Sequence, residues 1–427
     1  MQHLKQKIGI IGASLLVLNG LIGAGIFALP QKLFNILGNA SPLIFPILGI
    51  LMLCIVQCFS QLAKRIEGTG GPVLYTHAAF GKFVSFQTGW LFYLARATAI
   101  AANAHVLLLY LNIEAWGINV NESVIAVAIC LTLTFINVRS ISTAMRFLDG
   151  FTALKLVPIV GILVVGAFQA DIEVTFAMPS QTEGLTTAVL LALYAFIGFE
   201  TVVVTGDETK DAKNTIPKAL TYTVIAIALL YTLIQCIYIG VVQHDVGNAA
   251  PLVAFANIVA GEVGAIIMAF AAVFSIAANI MANMISTSRL TYSMAINDEI
   301  PTWFGKLHPR HATPHCSAWF LGGLACLLSL TGGFVWLAVV SVLSRMTVYL
   351  LSILSLIKLK HYAKSVDAQK RTNRLIDTLT PYLSVVIIGF VITQTNINAW
   401  LILTFQFLIG VGVYWLWKRY RINGQTA

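Results

Sequence analysis

Long runs of apolar residues, separated by short polar stretches, fill the chain from Ile8 to about Trp417. A helix needs roughly 20 such residues to cross the hydrocarbon core of a bilayer. Lipid offers no partner to a backbone N–H or C=O, so each crossing segment must satisfy its own. Read at that length, the pattern predicts helices over about 8–35, 41–63, 83–111, 122–138, 150–169, 184–205, 217–242, 261–296, 315–332, 334–358, 379–395 and 398–418. The alternating segments of about 10 residues that mark a membrane β-barrel do not occur in the sequence. The first run follows Lys5 and Lys7 and continues to Leu29, longer than the apolar part of a leader peptide, so it reads as a span. The expectation is one all-α polytopic membrane domain over 1–427, with about twelve transmembrane helices.

Composition and charge support this reading. Hydrophobic residues make up 58% of the chain and charged residues 10%, against about 25% charged in soluble domains. With both termini inside, every basic residue except Lys32, Arg96, Lys155 and Arg345 falls in an inner segment. The outer loops carry Glu114, Glu122, Asp171, Glu173, Glu183, Asp245 and Glu262 instead. Such an excess of Lys and Arg on one side is the signature of cytoplasmic loops. The net charge of +9 follows from that asymmetry and does not imply nucleic-acid binding. The six cysteines read as small buried hydrophobes. Cys54 and Cys58 share a helix face without a histidine or carboxylate to complete a metal set, and His77, His105 and His244 form no metal-spaced cluster. No metal or cofactor is expected. Neither HExxH, GxSxG nor a pair of catalytic carboxylates is present, so an enzyme is not expected. A membrane sensor built on the same helices is the alternative from another class; the sequence shows no sensory domain for it.

Arg96, Lys155, Arg345 and Glu200 fall inside predicted spans. A charge there costs several kcal/mol and faces an interior cavity or a partner, which makes these four functional candidates. Glycines interrupt two spans. The first reads Asn19-Gly20-Leu21-Ile22-Gly23-Ala24-Gly25-Ile26-Phe27, the sixth Tyr194-Ala195-Phe196-Ile197-Gly198-Phe199-Glu200-Thr201. Small residues also serve plain close packing of helices. Interruptions at corresponding places in two halves, however, point to an inverted-repeat transporter with broken helices. The N–H groups that begin the outer half-helix suit a carboxylate, and the carbonyls freed on the other side suit an ammonium group. Together they make a receptor for an α-amino acid.

In addition to those two segments, the chain has Pro30, Gly70-Gly71-Pro72 with Tyr75 and Phe80-Gly81, Asp207-Glu208 through Ile216-Pro217-Lys218-Ala219, and Ser288-Arg289-Leu290 with Tyr292, Met294-Ala295, Pro301, His308-Pro309 and Thr313-Pro314. In their order and spacing these resemble the amino acid–polyamine–organocation superfamily of permeases, over nearly the whole chain. The resemblance implies a leucine-transporter-type fold: two inverted five-helix repeats, 8–169 and 184–358, with helices 1 and 6 broken, then two more helices over 379–418. It implies secondary transport of amino acids by alternating access across the cell membrane, without sodium, proton-coupled or by exchange. An exchanger of polyamines or amino acid-derived amines is the alternative.

Carried over by position, backbone around Ile22, Gly23, Ala24 and Gly25 would bind the substrate carboxylate. Carbonyls of Leu21, Tyr194 and Ile197, beside Gly198, would take the ammonium group. Tyr194 stands where a gating aromatic is found, or packs as ordinary core. Lys155 would put a fixed ammonium where sodium-coupled relatives bind their ion, and is a candidate to exchange a proton; the other reading is a lysine snorkelling to the inner surface. Glu200 would brace the break or titrate during transport. Asp207 and Glu208 read as mostly solvated. Arg96 and Arg345 would pair structurally, with Glu200 for instance, or contact a substrate group. The partners expected are an amino acid, protons and the bilayer.

Overall fold

The apolar runs are helices in the computed structural model, which describes residues 8–111, 121–139, 141–171, 184–206, 209–242, 250–309, 313–366, 375–393, 395 and 397–425. The first span is two helices, α1 (Ile10–Leu21) and α2 (Ala24–Leu37), and a 3-10 turn over Gly38–Leu43 leads into α3 (Ile44–Arg65). Next come a short α4 (Pro72–Phe80), then α5 (Lys82–Leu111), α6 (Glu122–Arg139) and α7 (Ile141–Ala167). The sixth span is again two helices, α8 (Leu185–Phe196) and α9 (Thr201–Val204). The chain continues through α10 (Ala212–Val241), α11 (Pro251–Ile296), α12 (His315–Ser329), α13 (Phe334–Val366), α14 (Leu375–Thr393) and α15 (Ile397–Gln425). Among the described residues the one β pairing is a bridge between Ile8 and Thr209.

With each broken span taken as one, the helices follow the predicted order. Among the described residues, seven helical stretches are long and apolar enough to cross a bilayer by themselves, one of them running from Ala24 to Arg65 through the turn. The other spans are apolar helices of 10–17 described residues, among them the half-helices Ile10–Leu21 and Leu185–Phe196. The perimeter exposes Ile47, Ile50, Val157, Leu229, Val386 and Leu416, an apolar surface far larger than a water-soluble protein leaves bare. The protein is an all-α, multi-pass membrane protein.

Three departures from the sequence reading concern element ends. Helix α4 lies in what read as a connection: Pro72 fills its first turn, where a missing N–H costs nothing. Within α11 a helix from Pro251, unforeseen in the sequence, precedes the predicted one: the non-helical Ala260 and Gly261 (φ 64°) separate the two, and the second starts after Gly261 as expected. Helix α7 extends back to Ile141 from the predicted 150.

Helix α5 runs through the middle of the bundle and is buried nearly all round. Ala95, Ala97, Ala99, Ala101, Ala102 and Ala104 are all buried on it, and side chains this small let α11 and α13 come close on either side. That closeness carries Arg96 and Asn103 of α5 to the polar groups of α11, next to the two helix breaks.

Candidate functional site

The two breaks meet. At the first, Ile22 (ψ 84°) and Gly23 (ψ −142°) leave helical geometry between α1 and α2. At the second, Ile197 is extended and Gly198 has φ 117°, a conformation other residues rarely adopt. A Cβ on Gly20 would fall on the Gly198 carbonyl, and a Cβ on Gly198 on the Gly20 carbonyl. Two glycines are therefore what lets the unwound segments touch backbone to backbone.

Side chains from three other helices satisfy the carbonyls released at the end of α1. Asn279 of α11 donates its Nδ2 to the Asn19 oxygen at 2.7 Å and the Gly20 oxygen at 2.9 Å. The Tyr231 hydroxyl of α10 donates to the Leu21 oxygen at 2.9 Å. The Ile22 oxygen accepts from Lys155 Nζ at 3.3 Å and Ser275 Oγ at 3.4 Å. The start of α2 is treated differently: its N-cap Gly23 carries no side-chain cap, so the N–H groups of its first turn, which no helix can satisfy internally, open onto a cavity. That cavity is lined by Gly23, Ala24 and Gly25 on this side. Tyr194 and Ile197, at the end of α8, line it on another; the Tyr194 carbonyl accepts the Ile197 N–H at 3.5 Å.

A chain of polar side chains walls the rest. The Tyr194 hydroxyl donates to Asn103 Oδ1 at 2.6 Å, and its ring packs edge-on against Phe334 at 5.6 Å. Asn103 Nδ2 donates to Asn279 Oδ1 at 2.7 Å, as does Asn283 Nδ2 at 2.9 Å. Asn283 Oδ1 and Ser286 Oγ then accept from Arg96 Nη1, Asn283 at 3.5 Å. Arg96 Nη2 lies 3.6 Å from Glu200 Oε1 and Arg345 Nη1 3.3 Å from that same oxygen. The other oxygen, Oε2, accepts from the Gly198 N–H at 3.0 Å and the Tyr349 hydroxyl at 2.8 Å. Asn103, Asn279, Asn283, Arg96, Arg345 and Glu200 are all buried.

The residues singled out from the sequence thus gather in one place. Leu21, Gly23, Ala24, Gly25, Tyr194, Ile197 and Arg345 line the cavity, and Ile22, Gly198, Glu200 and Arg96 stand directly behind it. Lys155 is fully buried against Ile22 and does not reach the surface as a snorkelling lysine would. Glu200 grips the broken segment through Gly198 and pairs with both arginines at once. The Leu21 carbonyl is engaged by Tyr231. A Cβ at Gly25 would press on Ala195 of α8 at 2.9 Å, so this glycine is needed for helix packing as well as for approach to the cavity. Asp207, Glu208 and His244 lie outside the described residues. Asn103, Asn279, Asn283, Tyr231 and Tyr349 escaped the sequence reading; the signal available was polar side chains at i and i+4 in an apolar run, Asn279 and Asn283, which marks a face turned to other helices.

Comparison with known proteins agrees with this architecture. The sequence model of the family described as "Amino acid permease" matches residues 8–416. The serine/threonine exchanger of Bacillus subtilis is 25% identical over 424 residues, covering 96% of this chain and 95% of the exchanger. The D-serine/D-alanine/glycine transporter of Escherichia coli is 22% identical over 445 residues, with 97% and 94% covered. An uncharacterized transporter of Mycobacterium tuberculosis is 26% identical over 335 residues, 77% of this chain and 74% of that one. With a family match that spans both helix breaks and every helix of the cavity, this chain belongs to the amino acid permeases.

Proposed function

We propose that the protein is a secondary active transporter that carries an α-amino acid through the cavity between the broken helices by alternating access, independently of sodium, with proton coupling or exchange. The observation that carries this reading is the pairing of two unlike helix ends on one cavity. The uncapped start of α2 offers N–H groups and the positive end of a helix dipole to a carboxylate. The end of α8 offers carbonyls to an ammonium group. A zwitterion fits both. Two relatives named for serine, threonine, alanine or glycine support the same class of substrate. Lys155 supports independence from sodium: its ammonium lies on the Ile22 carbonyl, where α1 meets α7 and α11, and on this reading a fixed ammonium there does the work of a bound cation. A polyamine is disfavoured, because the buried charges around the cavity are two guanidinium groups against one carboxylate.

The two inverted repeats are taken as 8–169 and 184–358, in a cell (plasma or inner) membrane with both termini cytoplasmic, on the strength of the basic inner loops. The protein performs no chemistry on its substrate. Labelled amino acid uptake into proteoliposomes, with pH and sodium gradients imposed separately, tests the transport reading. A Val366→Cys variant labelled from outside intact cells would overturn the orientation.

A further inference from the structure

The buried charges at the cavity do not balance. Arg96 and Arg345 bring two positive charges, Glu200 one negative, and none of the three is more than 1% exposed. Among the described residues neither arginine pairs with a second carboxylate. One Glu200 oxygen faces both guanidinium groups without a hydrogen bond to either, and the other takes the Gly198 N–H and the Tyr349 hydroxyl, so a single carboxylate stands against two cations. A charge withdrawn from water and left without a partner is strongly destabilising, so the missing negative charge needs a source.

The two arginines are not equivalent. Arg96 is accommodated by neutral groups of its surroundings. Its Nη1 donates to Ser286 and Asn283, and its guanidinium lies over the Phe92 ring, 4.5 Å from the centroid. Arg345 has the contact with Glu200 and none of these neutral partners; its Nε and Nη2, like those of Arg96, have no hydrogen-bond partner. It is Arg345, not Arg96, that lines the cavity. A guanidinium edge with unpartnered donors presents two parallel N–H groups, a geometry matched by a carboxylate.

The cavity therefore has two anion receptors, the start of α2 and the edge of Arg345, and one receptor for an ammonium group at the end of α8. We infer that the substrate is an amino acid with a second anionic group on its side chain, aspartate and glutamate being the common cases, and that Arg345 receives that group. This rests on the amino acid reading of the same cavity and narrows it to the acidic class. With such a substrate bound, two carboxylates and Glu200 face two guanidinium groups and one ammonium, and the charges cancel.

The test compares acids with their amides, which match in shape and differ in charge. Purified full-length protein is reconstituted, and uptake of labelled L-glutamate is measured with unlabelled aspartate, glutamate, asparagine, glutamine, serine and leucine as competitors. Thermal stabilisation of the detergent-solubilised protein by the same compounds gives a readout that needs no variant. A charge-assisted bidentate pair in a buried site favours the acid over its amide by about tenfold or more, in both competition and stabilisation. In Arg345→Gln the acid should lose that advantage; in Arg345→Lys it should be reduced, because an ammonium cannot present the fork. If serine or leucine is taken up and stabilises while the acids do neither, the amino acid reading stands and the acidic one is overturned. An Arg345→Gln protein that keeps the full preference for acids also overturns it. If no amino acid of any class is bound or transported, the transport reading fails first. Should the variants not fold, the acid-to-amide ratio of the unmodified protein decides.

Discussion

Two buried cation sites lie close to the same broken helix, and they are built on opposite plans. Lys155 puts one compact ammonium on one carbonyl, that of Ile22, where the negative end of the α1 dipole and the Ser275 hydroxyl converge. Among the described residues it has no carboxylate partner, and it does not line the cavity. Arg96 and Arg345 share a carboxylate that cannot neutralise both, and one of them faces the cavity with unused donors. The lysine site is closed: it completes the joint between α1, α7 and α11. On the reading proposed above, a substrate group completes the arginine site, and coupling and recognition fall to different cations.

The largest expected effect lies on the closed side. Lys155→Ala removes the ammonium from the joint and leaves the Ile22 carbonyl with the Ser275 hydroxyl alone, so transport should fall to background while the protein still inserts. Uptake and folded yield measured on the same preparation check this. An unchanged rate and pH profile would reduce the lysine to a packing residue.

Next in size is Gly198→Ala, which tests the contact that places both sites. The added methyl group meets the Gly20 carbonyl, and φ 117° becomes strained. Strain of this kind costs about 1–3 kcal/mol per residue, and the clash adds to it, so the melting temperature should drop clearly. An unaffected melting temperature would show that the breaks do not depend on close backbone approach.

The arginines should then separate. Arg96→Lys gives up donors to Ser286 and Glu200, at about 1–3 kcal/mol for a buried group left unpaired, and should lower thermal stability more than it changes substrate preference. Arg345→Lys should do the reverse. Equal behaviour of the two variants would break the distinction between braced and open guanidinium groups.

The smallest effect belongs to a carboxyl outside the spans. Glu299 is buried after the end of α11, held by His77 Nδ1 at 3.0 Å and Ser85 Oγ at 3.0 Å, with its second oxygen unpartnered. Burial pushes its pKa above the usual carboxyl range, against the pull of His77 and Ser85. A group raised in this way binds its proton more tightly in the folded protein, so its contribution to stability is full below about pH 4.3, the ordinary glutamate value. It is lost as the pH rises through the folded value. Glu299→Gln should therefore flatten the decline in melting temperature between acidic and neutral pH. A decline as steep as in the parent would assign it to other groups.

Much of this could be read in the sequence because its determinants are local. Apolar length fixes a span, glycines at 20, 23, 25 and 198 mark the breaks, and charges such as Lys155 and Glu200 stand out in an apolar run. What escaped depends on the facing of one helix toward another. Nothing in the run around Tyr231 says that its hydroxyl meets the Leu21 carbonyl, and nothing around Tyr349 says that it holds Glu200. Asn279 looks like any polar residue in a long helix until α11 packs it against the end of α1. The unequal standing of Arg96 and Arg345 likewise arises from packing: α11 brings Asn283 and Ser286 to Arg96, whereas Arg345 on α13 meets Glu200 at the second break.

The central claim is that the two helix ends on the cavity receive a free α-amino acid and carry it across the membrane without sodium. It is tested most directly by labelled amino acid uptake into liposomes containing the purified protein, with choline or potassium replacing sodium outside and a pH gradient or internal amino acid as the driving force. The account predicts uptake that needs the gradient or the internal amino acid and is the same in all three salts. Uptake stimulated by sodium, or none for any amino acid by a protein shown to be folded, would contradict it.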